Sequence, residues 1–542
     1  MTSFLLIYAR QGPLLQTEMQ QPRQWAEDHG VPVQVSSAND FAFATFGRHN
    51  TAQIVDKQGE LVGWTSPTGH PLPQPDVRGW YSAVHTMPEI PMACVQLCRK
   101  PFSLWLARDR LGIATLYYRL TADRLWVSTE ARLIAMACNR FDLSIKALVS
   151  WVAGRYRDHE PLFECVRGLE RGVVVNRTDD EEGRRQLPLP PQNLGIRKKE
   201  DAMAAIRDLL RKQLVHSLDP HHVTGLPISG GMDSSTLAAV AVDLKSDHRL
   251  AAFAYRFKTL SSCDESARSA ATAAALKLPL TYIDCEDKPI LTEPMYPEQW
   301  IPENPFDSWN LIHEESLLWL TSQEGHVMLT GHGGDSMFSG IPPTSLRDAA
   351  WRLSHRFGIK KTPPIPWLTE KATKLLDPNM PVTLTRRSRQ SNLAWDRMGG
   401  VRRAVHWLER FGRYYACLYR HPYMSEELLR FSLQIEPDLL WLGRPKGLMR
   451  QSMKGLLPDS VLQCLEKPHL KEFYRRGLKR AEPEIVALMD DSLLAEYGLI
   501  EPKRFLQAFR QYLDGSEGGM LLFSILTELF IRKISANSTT IL

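Results

Sequence analysis

The stretch of this 542-residue chain best suited to chemistry is an apolar segment that ends in Ser229-Gly230-Gly231-Met232-Asp233-Ser234-Ser235 and runs at once into a helix-like sequence. Glycines at a strand-to-helix passage let backbone N–H groups approach a phosphate, and the helix N-terminus that follows favours an anion. Ser229, Ser234 and Ser235 add hydroxyls. An acid is out of place as a direct phosphate contact, so Asp233 reads as a ligand to a Mg²⁺ ion that bridges phosphates. A second run, Thr330-Gly331-His332-Gly333-Gly334-Asp335-Ser336, follows another short apolar segment. Glycines packed this densely are a backbone device, and Asp335 is the natural second carboxylate for the metal. The spacing is not that of a P-loop, because no lysine follows Gly230-Gly231, and it lacks the alternating glycines of a dinucleotide fingerprint. A third stretch, Ser261-Ser262-Cys263-Asp264-Glu265, has acids that serve equally well as caps for the next helix. Together these runs predict an enzyme that binds ATP with Mg²⁺.

The elements around them explain how three distant runs could meet. From about residue 197, short apolar segments alternate with helical ones. Strands are expected at Val223–Ser229, Leu250–Phe257, Leu278–Asp284 and His326–Thr330, and helices near 198–216, 234–245, 264–276 and 308–323. That alternation predicts a parallel sheet with helices on both faces. Ligands of such sheets sit beyond the carboxyl ends of the strands, where all three runs fall. Tyr255, near the end of the second strand, is placed with the nucleotide contacts. Before residue 176 the apolar runs are short and separated by turn residues, which predicts a mostly-β or α+β first domain. Residues 177–195 combine a charge cluster with a Pro-rich stretch and read as a linker. Beyond about 345 the pattern is largely helical.

Composition narrows the class. The chain is 43% hydrophobic and 23% charged, so large cores are available. A net charge of +5 is mild and names no nucleic-acid partner. The eight cysteines show no metal-ligand spacing and are too few for a disulfide scaffold. No apolar run is long enough to cross a membrane and no signal peptide is legible, so a cytoplasmic protein with no membrane partner is expected.

At the two glycine-acid runs the chain resembles the asparagine synthetase family of ATP pyrophosphatases. Ser229–Ser235 resembles that family's pyrophosphate loop. Gly331-His332-Gly333-Gly334-Asp335 resembles its second motif, with Asp335 in the metal-ligand place. Arg450, Gly455, Leu457-Pro458 and Lys467 resemble its C-terminal pattern, in which a lysine reaches the phosphates; Lys454 is a rival for that part. Ala107–Tyr118 and Ser128-Thr129-Glu130 resemble the end of its glutaminase domain. The resemblance implies an α/β + α+β architecture. A degenerate class II glutaminase-like αββα domain would occupy residues 1–176 and a linker 177–196. An asparagine synthetase-like α/β domain with a parallel sheet and a helical extension would occupy 197–542.

The departures shape the functional expectation. A glutaminase of this type needs an N-terminal cysteine, whereas this chain begins Met1-Thr2-Ser3 and its first cysteine is Cys94. The first domain is therefore expected to make no ammonia. His332 stands where asparagine synthetases have an acid, and Ser336 replaces another. The arginine that often precedes the family lysine is missing, with Cys464-Leu465-Glu466 in its place. The pattern is most similar to the lasso peptide cyclases (macrolactam synthetases). That implies adenylation of an Asp or Glu side chain of a ribosomally made precursor peptide, after which the peptide's N-terminal amine displaces AMP to form an isopeptide bond. A leader peptidase would be a second partner. The alternatives are a β-lactam synthetase-like intramolecular amide synthetase and an ammonia-dependent asparagine synthetase.

In each case the leaving pyrophosphate needs neutralising, indirectly by Asp233 and Asp335 through Mg²⁺ and directly by Lys467. A free α-amine has a pKa of about 8, so a base need remove only its last proton. His332 could be that base or could orient substrate, with Glu370 as its partner in the manner of the dyad of the β-lactam relatives, or Glu303 in the same part. Trp300, Phe306, Trp309 and Trp319 are expected mostly in the core, a few of them lining a groove that would hold a peptide prefolded.

Overall fold

The structure is a computed structural model. It describes all of the chain except residues 1–2, 48–51, 58–59, 66–91, 188–195, 197, 245–247, 289, 292–300, 309–312, 341–364, 377–400, 413–414, 466–468, 517, 519 and 541–542. Lys467, Trp300 and Trp309 lie outside the described residues.

The first domain is a sandwich of two antiparallel six-stranded sheets. Its strands are β1 (Ser3–Ala9), β2 (Val33–Ser37), β3 (Phe41–Phe46), β4 (Ala52–Lys57), β5 (Glu60–Thr65) and β6 (Ala93–Cys98), followed by β7 (Ser103–Arg108), β8 (Tyr117–Leu120), β9 (Arg124–Ser128), β10 (Arg167–Gly168), β11 (Val173–Thr178) and β12 (Glu182–Gln186). The orders are β10-β8-β9-β1-β3-β2 and β12-β11-β7-β6-β5-β4. β1 shows why the layers form. All seven of its residues are buried, because alternate side chains serve different cores. Phe4, Leu6 and Tyr8 meet Val95, Leu97, Leu104 and Leu106 of the second sheet. Leu5 and Ile7 face the other way, toward Trp25 of helix Gln16–Asp28 and Leu133 and Ile134 of helix Ala131–Cys138. Among the described residues the result is one helical layer over two packed sheets, three layers of the expected αββα arrangement. The boundary differs from expectation: β12 pairs with β11 in register from Val173↔Gln186 to Arg177↔Glu182. The charged start of the expected linker is thus an edge strand of the first domain. Its five residues are all exposed, which is why no apolar alternation announces it.

The second domain is built on a five-stranded sheet of order β15-β14-β13-β16-β17, parallel throughout. Its strands are β13 (Val223–Pro227), β14 (Leu250–Arg256), β15 (Leu280–Asp284), β16 (Gly325–Leu329) and β17 (Leu418–Arg420). Helix Lys199–Ser217 buries Ala202, Ile206, Leu210 and Leu214, one helical face at i, i+4, i+8 and i+12. These residues pack with Leu226, Leu237 and Leu329 in one core, while Phe253, Ile283, Leu317 and Met328 join the core on the opposite side. No helix among the described residues is long and apolar enough to cross a membrane.

The two domains share a core. Trp151 and Tyr156 stack at 3.5 Å, with Phe306 and Phe523 of the second domain against them, so Phe306 is a packing residue. Trp319 likewise packs on Phe253. Polar joints reinforce the contact. Helix 401–412 sends His406 Nε2 to the Gly112 carbonyl oxygen at 2.7 Å and Arg402 to within 3.7 Å of Asp158. Glu303 accepts the N–H groups of Ala131 and Arg132, both at 2.9 Å, at the N-terminus of helix 131–138. Arg110 Nη1 donates to Glu426 Oε1 across the same boundary at 2.9 Å.

Burial raises the Glu426 carboxyl to about 7, against the opposing pull of Arg110. Its folded value lies above that of the unfolded chain, so its contribution to stability is present below the ordinary value of 4.5 and fades as pH climbs toward 7. Thermal or urea unfolding of Glu426→Gln should therefore gain on the parent between pH 5 and pH 8, by up to roughly 3 kcal/mol. A difference that does not change with pH would show that Glu426 is ionised in the folded protein throughout.

Candidate active site

β13, β14 and β16 end side by side. The loops after β13 and β16 and the end of β14 border a cavity of about 490 Å³. Ser229 opens the first loop. Its N–H donates to Ser234 Oγ at 3.1 Å, the two hydroxyls lie 2.9 Å apart, and Gly231 N–H donates to Ser229 Oγ at 3.3 Å. Gly230 has φ +72°, and a Cβ there would lie 2.7 Å from the Arg268 Cβ, so a side chain is excluded both by conformation and by space. The loop is therefore a tight turn that leads into the N-terminus of helix Met232–Asp243. Ser229, Gly230, Gly231, Met232, Asp233 and Ser234 line the cavity. Ser235 does not: it is buried, with its hydroxyl 3.4 Å from that of Thr272. One residue further round the helix, it faces the core rather than the loop.

The second loop closes on the first. A Cβ on Gly334 would lie 2.5 Å from the Asp233 carboxylate, and one on Gly331 would lie 3.1 Å from the Asp233 Cβ. The glycines therefore make room for an acid from another loop. Asp335 follows, at the start of helix Gly334–Phe338. Between the two acids stands Lys446, whose Nζ is 2.7 Å from Asp233 Oδ2 and 2.7 Å from Asp335 Oδ1. Burial opposes its charge, but the two carboxylates outweigh that and hold Lys446 above the ordinary lysine value. It is fixed from behind: its backbone N–H donates to the Ser339 carbonyl oxygen at 2.9 Å, and its φ of +57° turns the chain into helix Gly447–Ser452. Tyr423, fully buried, donates its O–H to the Asp233 carbonyl oxygen at 3.1 Å.

This donor set fits Mg²⁺ of the kind that arrives with phosphates. Mg²⁺ is commonly held by one or two carboxylates together with substrate oxygens rather than by an all-protein cage. Asp233 and Asp335 reach one common point, where the Lys446 ammonium sits in this structure. No cluster of three or more His, Cys, Asp or Glu able to hold a metal occurs among the described residues.

The remaining expected residues separate. His332, Gly331, Gly333 and Tyr255 line the cavity, and Tyr255 donates its O–H to Ser316 Oγ at 3.0 Å. Glu370 does not approach His332. It opens helix Glu370–Leu375, is 84% exposed and pairs with Lys374 at 2.6 Å. Only distance in sequence favoured it, and the helix is anchored elsewhere, through the Leu368–Ile500 bridge. Lys454 is exposed and absent from the cavity wall. Glu303 belongs to the domain joint. Asp264 is a capping and turn residue, accepting from the N–H groups of Phe257 at 3.0 Å and Ser266 at 3.3 Å, while Glu265 lines the cavity.

Sequence reasoning missed Lys446. It lies four residues before Arg450, one helical turn away, but within Pro445-Lys446-Gly447, which reads as a surface turn. It also missed His421 and Glu409, buried behind Thr330 and His332.

Comparison with known proteins agrees with this geometry. A family model described as asparagine synthase matches residues 205–529. Among curated proteins, Amidase chyE of Penicillium rubens is 24% identical over 258 residues, covering 43% of this chain and 37% of that protein. The glutamine-hydrolysing asparagine synthetase 1 of Bacillus subtilis is 22% identical over 251 residues, covering 44% of this chain and 37% of that protein. The matched segment thus spans little more than a third of each relative. Among solved structures, glutamine phosphoribosylpyrophosphate amidotransferase of B. subtilis aligns over 60% of this chain and 90% of its own, at 9% identity and a TM-score of 0.24, too low to carry an argument. The match of the family model to more than half of the chain, over the sheet and loops that build this cavity, is decisive: the protein belongs to the asparagine synthase family.

Proposed function

We propose that the protein activates a carboxylate with MgATP, releasing pyrophosphate, and transfers the acyl group from AMP to an amine, forming an amide. The observation that carries this reading is the Asp233–Lys446–Asp335 cluster beside the helix N-terminus at Met232. ATP is the group such a site suits. The loop of Ser229–Ser234 offers N–H groups and hydroxyls to phosphate oxygens, and the helix end adds its positive field. Mg²⁺, when bound, would neutralise phosphate charge between Asp233 and Asp335. Lys446 is placed to follow the pyrophosphate as it leaves, and Lys467 is a further candidate for that part. The Arg450 side chain is engaged with the carbonyl oxygens of Pro445, Val461 and Leu462, so it holds the wall. Tyr255 stands with the nucleotide, and His332 is assigned to the amine.

The amine is proposed to come without glutamine hydrolysis. Burial raises the Cys94, Cys138 and Cys165 thiols of the first domain, the opposite of what a thiol nucleophile needs. Asparagine synthetase-type amide formation with free ammonia is the simplest version. A finer reading is that carboxylate and amine belong to one precursor peptide, closed into a macrolactam after a leader peptidase frees its N-terminus. The cavity wall supports it: Phe253, Met328, Val401, Leu408 and Leu465 are apolar, and the only lining cations among the described residues are Lys446 and Arg450. Free aspartate would need a cation for its second carboxylate, whereas an Asp or Glu side chain of a peptide would not.

Exchange of labelled pyrophosphate into ATP tests the activation step. The carboxylates to offer are aspartate with ammonia and linear peptides that carry a free N-terminus and an internal Asp or Glu. Exchange with a peptide, together with a product lighter by one water, is expected on the finer reading; asparagine formation is expected on the simpler one. Exchange with none of them contradicts both. Lys446→Ala and Asp233→Asn should each lower exchange about 100-fold or more with the fold intact by circular dichroism; full activity in Asp233→Asn would remove the metal assignment. Gly334→Ala should lose a similar factor, because its methyl group displaces the Asp233 carboxylate; normal turnover in that variant would show that the two loops need not touch.

A further inference from the structure

Behind the cavity wall lie three groups in line that the activation step does not use. Thr330 lines the cavity. Its Oγ1 is 2.6 Å from His421 Nδ1. His421 is buried, and its Nε2, which makes no hydrogen bond among the described residues, lies 4.0 Å from Glu409 Oε1. Glu409 is itself only 2% exposed. Which of Thr330 Oγ1 and His421 Nδ1 donates depends on the imidazole tautomer, and the form protonated on Nε2 is the one that an inward proton transfer needs. In that form Thr330 Oγ1 accepts the N–H of His332 at 3.4 Å and sends its single hydrogen to His421 Nδ1. The neutral imidazole then carries its proton on Nε2, toward Glu409. A second lone pair of Thr330 Oγ1 remains for a group in the cavity. Burial, and then His332, Arg420 and His406, hold His421 well below the ordinary histidine value. The ring is therefore neutral at rest, with Glu409 the acid that faces it and would offset the charge of a transient imidazolium.

We infer that Thr330, His421 and Glu409 form the proton exit for the amine in the amide-forming step, leaving His332 to orient that amine. The inference rests on the acyl-transfer reading above. The amine nitrogen forms its bond to the acyl carbon, the bond from that carbon to the AMP oxygen breaks, and AMP leaves with the electron pair. The surplus proton of the nitrogen passes to Thr330 Oγ1 as the Thr330 proton passes to His421 Nδ1. The imidazolium so formed is paired with Glu409 until the product departs and the proton is lost to water. A hydroxyl backed by an imidazole and a carboxylate is the arrangement by which other enzymes move a proton at neutral pH. Here it serves a nitrogen that the substrate supplies.

The test separates the two half-reactions. For whichever carboxylate supports pyrophosphate exchange, amide formed per exchange turnover is measured in His421→Gln and Glu409→Gln. The expected fall is about 100-fold for His421→Gln and about 10-fold for Glu409→Gln. Hydroxylamine, which is uncharged at neutral pH, should trap the acyl group as hydroxamate with little loss in either variant, an outcome that a merely structural role for these residues would not give. Thr330→Ser should keep the amide step and Thr330→Val should lose it. A ratio unchanged in His421→Gln, or hydroxamate lost in parallel with amide, overturns the relay. Nuclear magnetic resonance of ¹⁵N-histidine-labelled enzyme decides it independently of substrate: His421, assigned by its loss in His421→Gln, should be the Nε2–H tautomer. The Nδ1–H tautomer would overturn the relay even if exchange and amide formation are seen. Absence of exchange with every carboxylate would instead fall on the acyl-transfer reading and leave the tautomer to decide the relay.

Discussion

Two ionised carboxylates from different loops repel each other in a partly buried site unless a cation sits between them. Asp233 and Asp335 are in that position, and the Lys446 ammonium, 2.7 Å from each, is that cation. Much of the second domain arranges this contact. β13 and β16 must be neighbours in a parallel sheet for their loops to meet, and Gly331 and Gly334 must lack side chains for the loops to close. The segment after β17 must return so that Tyr423 holds the Asp233 backbone and Lys446 enters from beyond. The same charge balance suits the proposed magnesium–phosphate substrate: Asp233 and Asp335 would hold the divalent cation, and Lys446 would then be available to a phosphate oxygen.

Helix 401–412 ties this site to the first domain. Arg402 and His406 point to Asp158 and Gly112 of that domain, Arg410 binds Asp307 at 2.9 Å, and Leu408 reaches the cavity. The first domain thus has a mechanical part independent of any chemistry of its own: it fixes the helix that supplies part of the cavity wall. The shared core, with Trp151 and Tyr156 against Phe306 and Phe523, makes the two domains one packed body rather than two units on a tether.

Four of the five strands of the parallel sheet were legible as short apolar runs bounded by turn residues, whereas β17, only three residues long, lies in a stretch that reads as helical and is a strand only by pairing with β16. The phosphate loop was legible because glycine, serine and acid at a strand end serve few other purposes. What was not legible depends on contacts made in three dimensions. Glu182–Gln186 carries no apolar alternation and is a strand only by pairing with β11. Lys446 looks like any lysine in a Pro-Lys-Gly turn until two acids from residues 233 and 335 close on it. Glu370 was placed near His332 by sequence distance alone, and it faces solvent. Ser235 differs from Ser234 by one residue, but a helix turns about 100° per residue, which moves it from the cavity to the core beside Thr272.

The proposed activity requires that ATP be cut between its α- and β-phosphates. Phosphorus magnetic resonance of the nucleotide products, recorded with a carboxylate and an amine that sustain turnover, reads this directly. AMP and pyrophosphate in equal amounts, lost together in Lys446→Ala, are the predicted result. ADP and inorganic phosphate would contradict the account, because the two loops and the lysine between them would then serve a different cleavage.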